Sequence, residues 1–138
     1  MLNKHKSRLT NQKKMILNFL LNTDSHPTAE GVFLAVRSLL PQISFATVYR
    51  NLNNLVEETL IQTLDFDKGP AHYCARRNDG HFICDTCGQI FDVMSFDSGR
   101  LTKKVIKDLR VKVSKQTFYF FGQCADCAKP NTIEKKWR

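Results

Sequence analysis

Two pairs of cysteines constrain the fold of this chain more than any other feature of its sequence. Cys84 and Cys87 form one Cys-x-x-Cys pair, and Cys124 and Cys127 form the other. Each pair lets two thiolates reach one ion, and two pairs complete the tetrahedral shell that a structural zinc ion prefers. Residues 88–123 separate the pairs, a longer stretch than the roughly 15 to 20 residues of a zinc ribbon, so further structure must fold inside the loop that the metal closes.

Two other uses of these cysteines are open. A redox dithiol is one, but neither pair lies in the βαβ pattern of a thioredoxin-like protein. A zinc hydrolase or thiol oxidoreductase is the other, but a catalytic zinc keeps an open coordination position, and four thiolates leave none. We therefore expect that the protein is not an enzyme.

The first half of the chain has the apolar spacing of helices and then of a hairpin. Thr10, Thr28 and Ser44 are placed to cap three helices between residues 10 and 57, and Pro41 is placed to end the second helix. Residues 61–66 and 71–74 have the pattern of two short strands around a turn. Three helices and a hairpin predict a winged helix. The alternative is a generic helical bundle followed by a hairpin that is not part of a winged helix. The predicted apolar faces are Ile16, Leu17, Phe19, Leu20 and Leu21 in the first helix, Val32, Phe33, Val36 and Leu40 in the second, and Val48, Leu52 and Leu55 in the third.

After about residue 78 the pattern changes to short strands, predicted at 82–83, 89–93 and 118–121. One helix, capped by Asp97, interrupts them with an apolar stripe of Leu101, Val105, Ile106 and Leu109. A unit of about 60 residues has a core of only marginal stability, so it needs a cross-link such as a metal site, or a partner chain. The expected fold class is α+β, with a winged-helix domain over residues 1–77 and a small α/β domain over residues 78–138.

The outer face of the third helix has side chains suited to a DNA groove. Arginine can bind guanine through two hydrogen bonds, asparagine can bind adenine, and tyrosine can contact a phosphate or a thymine methyl group. The net charge of +8 favours a polyanionic partner, and Arg8, Lys13 and Lys14 near the start of the sequence are further candidate contacts. An ordinary solvated helix face is the alternative. The groove-facing candidates are Ala46, Tyr49, Arg50 and Asn53.

No segment suggests a membrane partner. No stretch approaches the roughly 18 apolar residues of a membrane span, and the first residues lack the apolar core of a secretion signal. We expect a cytoplasmic protein.

A second set of metal donors lies near the junction of the two halves. These nitrogen, oxygen and sulfur donors are His26, Cys74, Asp79, His81 and Asp92. His81 has the strongest support, because it lies three residues before Cys84 on a strand whose end a zinc ion would hold still. The sequence offers no such support for His5 and His72, and we interpret both as non-ligands.

Four segments together resemble the ferric uptake regulator family over nearly the whole chain. They are RLTNQK (8–13), HPTAE (26–30), ATVYRNL (46–52) and HFICDTCGQI (81–90), in the family's order and spacing. The resemblance implies a winged-helix domain joined by a hinge to an α/β dimerisation domain, a structural zinc at the four cysteines and a regulatory metal at the hinge. It also implies a homodimer that closes onto a palindromic DNA operator when the regulatory metal binds.

The resemblance also implies regulatory ligands, with His26 from the DNA-binding domain and His81 and Asp92 from the dimerisation domain. Cys74 stands where the family usually has an acidic residue, and Asp79 stands where it usually has a second histidine. Asp92 resembles the peroxide-sensing branch, in which bound ferrous iron reacts with peroxide and a histidine ligand is oxidised. Cys74 instead resembles zinc-sensing members, because a thiolate is a soft donor.

The sequence leaves several functions open. The first is a metal-dependent repressor of metal-homeostasis or peroxide-stress genes, with Fe²⁺, Mn²⁺ or Zn²⁺ as the regulatory ion. The second is a zinc-sensing uptake repressor that uses Cys74. The third is a zinc-dependent protein-interaction module whose basic charge is incidental.

Overall fold

The computed structural model describes residues 9–66, 69–75, 80–93 and 97–129. The chain divides into two compact units, Met1–Arg77 and Asn78–Arg138. Unit 1 contains helices α1 (Asn11–Asn22), α2 (Ala29–Val36) and α3 (Phe45–Glu57), followed by strands β1 (Gln62–Leu64) and β2 (His72–Cys74). Unit 2 contains strands β3 (Gly80–Cys84) and β4 (Ile90–Val93), helix α4 (Ser98–Leu109) and strand β5 (Phe118–Gly122).

The three helices of unit 1 begin where the sequence predicts. The side-chain oxygens of Thr10, Thr28 and Ser44 accept hydrogen bonds from backbone N–H groups in the first turns of α1, α2 and α3. Each bond satisfies an N–H group that the helix itself leaves without an acceptor. β1 and β2 then pair antiparallel, so the unit is the predicted winged helix.

The core of unit 1 forms between the three helices and the hairpin. Val48, Leu52 and Leu55 of α3 are fully buried, as predicted from their spacing. Leu21, by contrast, is 48% exposed, so the predicted apolar face of α1 is too wide by one position. Helix α2 also ends before Pro41, because the N–H groups of Leu39 and Leu40 both donate to the Val36 carbonyl in a tight turn. The buried apolar residues that helices contribute to this core are Ile16, Leu20, Val32, Val36, Val48, Leu52 and Leu55.

Helix α3 ends in a left-handed turn at Thr59, whose φ is 60°. The N–H of Leu60 donates to the carbonyl of Leu55, and the N–H of Thr59 donates to that of Val56. This pair of bonds is a Schellman motif, which usually has glycine at the left-handed position. A β-branched residue there is strained, because its side chain approaches the backbone closely.

Unit 2 is a three-stranded sheet with strand order β4-β3-β5. β3 pairs antiparallel with β4 and parallel with β5. Helix α4 lies in the connection between β4 and β5, and Asp97 caps it by accepting from the N–H of Arg100, as predicted. Thr102 and Ser98 of α4 both hydrogen-bond to the side chain of Gln116, just before β5.

The apolar stripe of α4 is not buried by the chain's own fold. No residue of α4 is buried, and Leu101, Ile106 and Leu109 are 47%, 41% and 67% exposed. The predicted apolar residues lie on α4, but the described residues of the chain leave most of this stripe exposed. Among the described residues, no helix combines the length and apolar character needed to cross a membrane.

Candidate metal centres and DNA-binding face

The two cysteine pairs meet at one end of the unit 2 sheet. Cys84 is the last residue of β3, Cys87 lies in the turn that follows, and the parallel register beside β5 brings Cys124 next to Cys84. All four sulfur atoms, including that of Cys127, lie within 4.8 Å of one another, and Cys87 Sγ is 3.9 Å from Cys124 Sγ. Zinc–sulfur bonds of 2.3 Å in a tetrahedron would place sulfur atoms about 3.8 Å apart, so the donor set fits zinc.

The electrostatics of this cluster also favour a cation. The backbone N–H groups of Cys124 and Cys87 donate to Cys84 Sγ over 3.3 Å and 3.5 Å, and these bonds lower the pKa of the Cys84 thiol to about 6. The opposite holds for Cys127, whose pKa is raised to about 12, first by its contact with the Cys124 thiol and then by the other two sulfurs. Four thiols at this distance cannot all ionise alone, and a divalent cation removes that conflict.

Unit 1 brings His26 and Cys74 together. The N–H of Tyr73 donates to the Pro27 carbonyl over 2.9 Å, and His72 Nδ1 donates to the His26 carbonyl over 2.6 Å. These bonds fix strand β2 against the loop before α2. As a result, the buried side chains of His26 and Cys74 have potential ligand atoms within 4.8 Å of each other.

Unit 2 brings His81 and Asp92 together. The two residues are direct partners in the antiparallel register of β3 and β4, so their side chains lie on the same face of the sheet. His81 Nε2 is 3.2 Å from Asp92 Oδ1, and the His81 side chain is fully buried while that of Asp92 is 11% exposed. The ring of Tyr119, the β5 partner of His81, lies beside the His81 ring with centroids 6.5 Å apart. Asp79, the fifth predicted donor, lies outside the described residues.

His72 is the residue near these donors whose contribution the sequence did not reveal. It was predicted to be a non-ligand, and its Nδ1 atom is engaged by the His26 carbonyl. Its observed role is to fix the backbone that carries His26. Because 46 residues separate the two histidines, no local sequence signal could have indicated this contact.

The outer face of α3 is accessible, as predicted. Ala46, Tyr49, Arg50 and Asn53 are all exposed, whereas the opposite face is buried. Tyr49 stacks on Phe45, with ring centroids 6.3 Å apart and planes at 24°. Phe45 is itself 45% exposed, so an aromatic pair accompanies the polar groups on this surface. Phe45 was not among the residues predicted from the sequence, although its position next to Ala46 was a usable signal.

Among the basic residues predicted to contact DNA, Lys13 requires a correction. Its side chain is only 2% exposed, and its Nζ atom forms an ion pair of 2.6 Å with Glu58 Oε1. Lys13 therefore cannot reach a phosphate from this position. Neighbouring residues of a helix are rotated by about 100° around its axis, so Lys13 falls on the buried side of α1 while Lys14 is exposed. Arg8 lies outside the described residues.

Together, a winged helix with an accessible α3 face and a unit with a four-cysteine zinc site define a metal-binding transcriptional regulator that acts on DNA. The chain belongs to the Ferric uptake regulator family, whose sequence profile matches residues 4–121. It is therefore a metal-dependent transcriptional repressor of the ferric uptake regulator type. Proteins of this family are dimeric DNA-binding transcription factors.

Individual relatives agree with this assignment. The chain is 31% identical to the Peroxide operon regulator of Bacillus subtilis, over 88% of this chain and 85% of the relative. It is similar to the crystal structure of the Campylobacter jejuni peroxide stress regulator, with a TM-score of 0.75, 26% identity and coverage of 84% of this chain and 88% of that one. The ferric uptake regulator Fur of Helicobacter pylori shares the fold, with a TM-score of 0.76, 24% identity and coverage of 91% and 85%.

Proposed function

We propose that this protein is a homodimeric repressor that binds a palindromic operator when a regulatory divalent metal joins His26 and Cys74 of unit 1 to His81 and Asp92 of unit 2. The observation that carries the proposal is that each unit, taken alone, holds two potential ligands close together. Asp79 is a candidate fifth ligand by its place in the sequence.

The mechanism follows from the number of donors in each pair. Two ligands incompletely satisfy a divalent transition metal, which commonly takes four or more. An ion bound by both pairs would favour the interdomain arrangement that brings them together, so the metal would act as a ligand that shifts a population. Moving that arrangement from rare to dominant requires about 10⁴-fold tighter metal binding to it than to the alternatives.

The α3 face would then bind the operator. We assign base contacts to Arg50 and Asn53, a phosphate or thymine contact to Tyr49, a close backbone approach to Ala46 and a phosphate contact to Lys14. Arg8 remains a candidate by its sequence position. Two copies of α3 in a symmetric dimer would match two half-sites about one helical turn of DNA apart.

The proposed dimer has support in the surface of unit 2. Three large apolar side chains of α4, Leu101, Ile106 and Leu109, are at least two-fifths exposed. A second copy would bury this surface by the same interactions on both sides. We propose no catalytic activity, because four thiolates leave the structural ion no open position. As a repressor of transcription, the protein would work in the cytoplasm.

The regulatory ion is either the ferrous iron or manganese of a peroxide-stress regulator or the zinc of an uptake repressor. The first candidate is supported by Asp92, a hard oxygen donor, and by the relative named Peroxide operon regulator. The second is supported by the buried thiol of Cys74 beside His26, a soft donor that favours zinc.

Removal of the labile metal tests the central proposal. Protein that retains one zinc ion per chain but has lost its second metal should bind operator at least about 100-fold more weakly than the reloaded protein, a loss consistent with the shift above. Operator affinity that is unchanged by this treatment would refute metal control. A DNA selection experiment with no sequence preference would instead support the protein-interaction module.

A second experiment identifies the metal. Protein purified without oxygen is subjected to elemental analysis, and its mass is then measured after peroxide treatment. Added oxygen on His26 or His81 would support the peroxide branch, whereas zinc at both sites and no added oxygen would support the uptake branch.

A further inference from the structure

Helix α4 and the residues after it form a strongly basic segment. Residues 98–115 contain seven lysines and arginines and a single acidic residue, Asp108. All seven are exposed. The DNA contacts predicted from the sequence lie at residues 8–14 and on α3, so neither they nor the metal sites make use of this segment.

The basic and apolar residues of α4 lie on opposite sides of the helix. Arg100, Lys103, Lys104 and Lys107 have the spacing i, i+3, i+4 and i+7, which places them within an arc of about 100°. We call these four residues the basic face. The apolar stripe of Leu101, Val105, Ile106 and Leu109 is centred on the other side of the helix.

Charge pairing neutralises only part of the basic face. Lys104 forms an ion pair with Asp108 one turn later, in which both side chains are about half exposed or more. For Arg100, Lys103 and Lys107, the described residues provide no carboxylate in an ion pair. An exposed cluster of this kind attracts polyanions, because binding releases the counterions that surround them.

We propose that the basic face of α4 is a second DNA-binding surface, which contacts backbone phosphates without reading base sequence. The proposed homodimer favours DNA over an anionic membrane. A helix with a basic polar face binds a membrane interface by inserting its apolar stripe into the lipid, and a stripe covered by a second copy is not available for that insertion. If a second copy covers the stripe, as the proposed homodimer requires, the basic face remains outward and available to a duplex.

The proposal implies that unit 2 adds non-specific affinity to the specificity supplied by α3. The phosphates contacted lie either on the same duplex beyond the operator or on a second duplex. Each phosphate contact makes the slope of log K against log salt steeper by about 0.9. Lowering the salt from 1 M to 0.1 M therefore raises the affinity by about a further 8-fold for each contact.

The test compares two double variants of the full-length, zinc-loaded protein. Lys103→Gln with Lys107→Gln removes two charges from the basic face, and Lys112→Gln with Lys115→Gln removes two exposed charges beyond the helix. Binding to a 60-base-pair duplex of random sequence is measured between about 0.05 and 0.3 M salt. For each basic face that contacts the duplex, the first variant should lose about 1.8 in the slope of log K against log salt, which is about 60-fold in affinity at 0.1 M salt relative to 1 M. The second variant should change little.

Equal losses in the two variants would overturn the proposal, because net charge alone would then explain them. So would unchanged DNA binding in the first variant together with lost binding to vesicles of phosphatidylglycerol and phosphatidylcholine, which would assign the face to membranes. Dependence on duplex length would support contacts on the same duplex, and bridging of two 20-base-pair duplexes would support a second one. The ratio of operator to random affinity separately reports on the proposed function, so the two ideas fail independently.

Discussion

Buried Lys13 and half-buried Glu58 form an ion pair that joins the first turn of α1 to the end of α3 across 45 residues of sequence. Burial makes this pair sensitive to the loss of one partner, because the remaining charge would stay in a poorly solvated position. The pair holds the end of the helix whose outer face we assign to DNA.

Lys13→Met should therefore destabilise the protein by about 1 to 3 kcal/mol, since it removes the ammonium group that pairs with the Glu58 carboxylate. The measurement is urea denaturation followed by circular dichroism. The double variant with Glu58→Leu should recover part of the loss, and Lys14→Met, at an exposed neighbour, should have little effect. If Lys13→Met were fully stable but bound DNA more weakly, the original prediction of a DNA contact would be correct.

Thr59→Gly should stabilise the protein by about 0.5 to 1 kcal/mol. Glycine adopts a φ of 60° without strain, which outweighs the extra entropy of the unfolded chain. Thr23→Gly is the matched control, because Thr23 follows α1 with a φ of −99° that suits any residue, and it should destabilise. A thermal melt of the three proteins gives the comparison, and a lower melting temperature for Thr59→Gly would contradict the argument.

Cys84→Ser should abolish both zinc retention and dimer formation. Cys84 is a buried member of the four-sulfur cluster, and a small unit that closes a long loop with one ion depends on that ion for folding. Zinc content and sedimentation are the readouts, and Cys74→Ser should retain the structural zinc. A dimer that remained stable without zinc would show that the cluster does not support the fold.

Cys74→Asp should leave folding and the structural zinc intact but change the preference of the regulatory site. A carboxylate is a harder donor than a thiolate, so affinity for Mn²⁺ should rise relative to Zn²⁺. Competition titrations of protein that retains the structural zinc measure this ratio. An unaltered ratio would remove Cys74 from the proposed ligands.

Arg50→Ala should reduce operator affinity by about 1 to 3 kcal/mol and leave binding to random DNA nearly unchanged, if Arg50 binds a base edge. Arg37→Ala is a useful control, because Arg37 is an exposed arginine outside α3 that lies over the Phe33 ring. Any loss of affinity in Arg37→Ala should be similar on operator and random DNA. If Arg50→Ala also lost the same affinity on both DNAs, Arg50 would be a phosphate contact.

The sequence by itself determined the features that depend on local spacing. The caps at Thr10, Thr28, Ser44 and Asp97 were predictable because an N-cap satisfies N–H groups two or three residues away. The four-cysteine cluster was predictable because each pair supplies two ligands from one short turn. The inward and outward faces of α3 followed in the same way from the helical period.

Only the tertiary structure decided the features that depend on distant residues. It placed Lys13 against Glu58, fixed His26 through His72, and left the α4 stripe exposed although its pattern suits a core. These outcomes depend on which surfaces meet after the helices and strands have formed. A periodic pattern specifies that one face is apolar, but whether that face is buried depends on the area of the surface available to cover it.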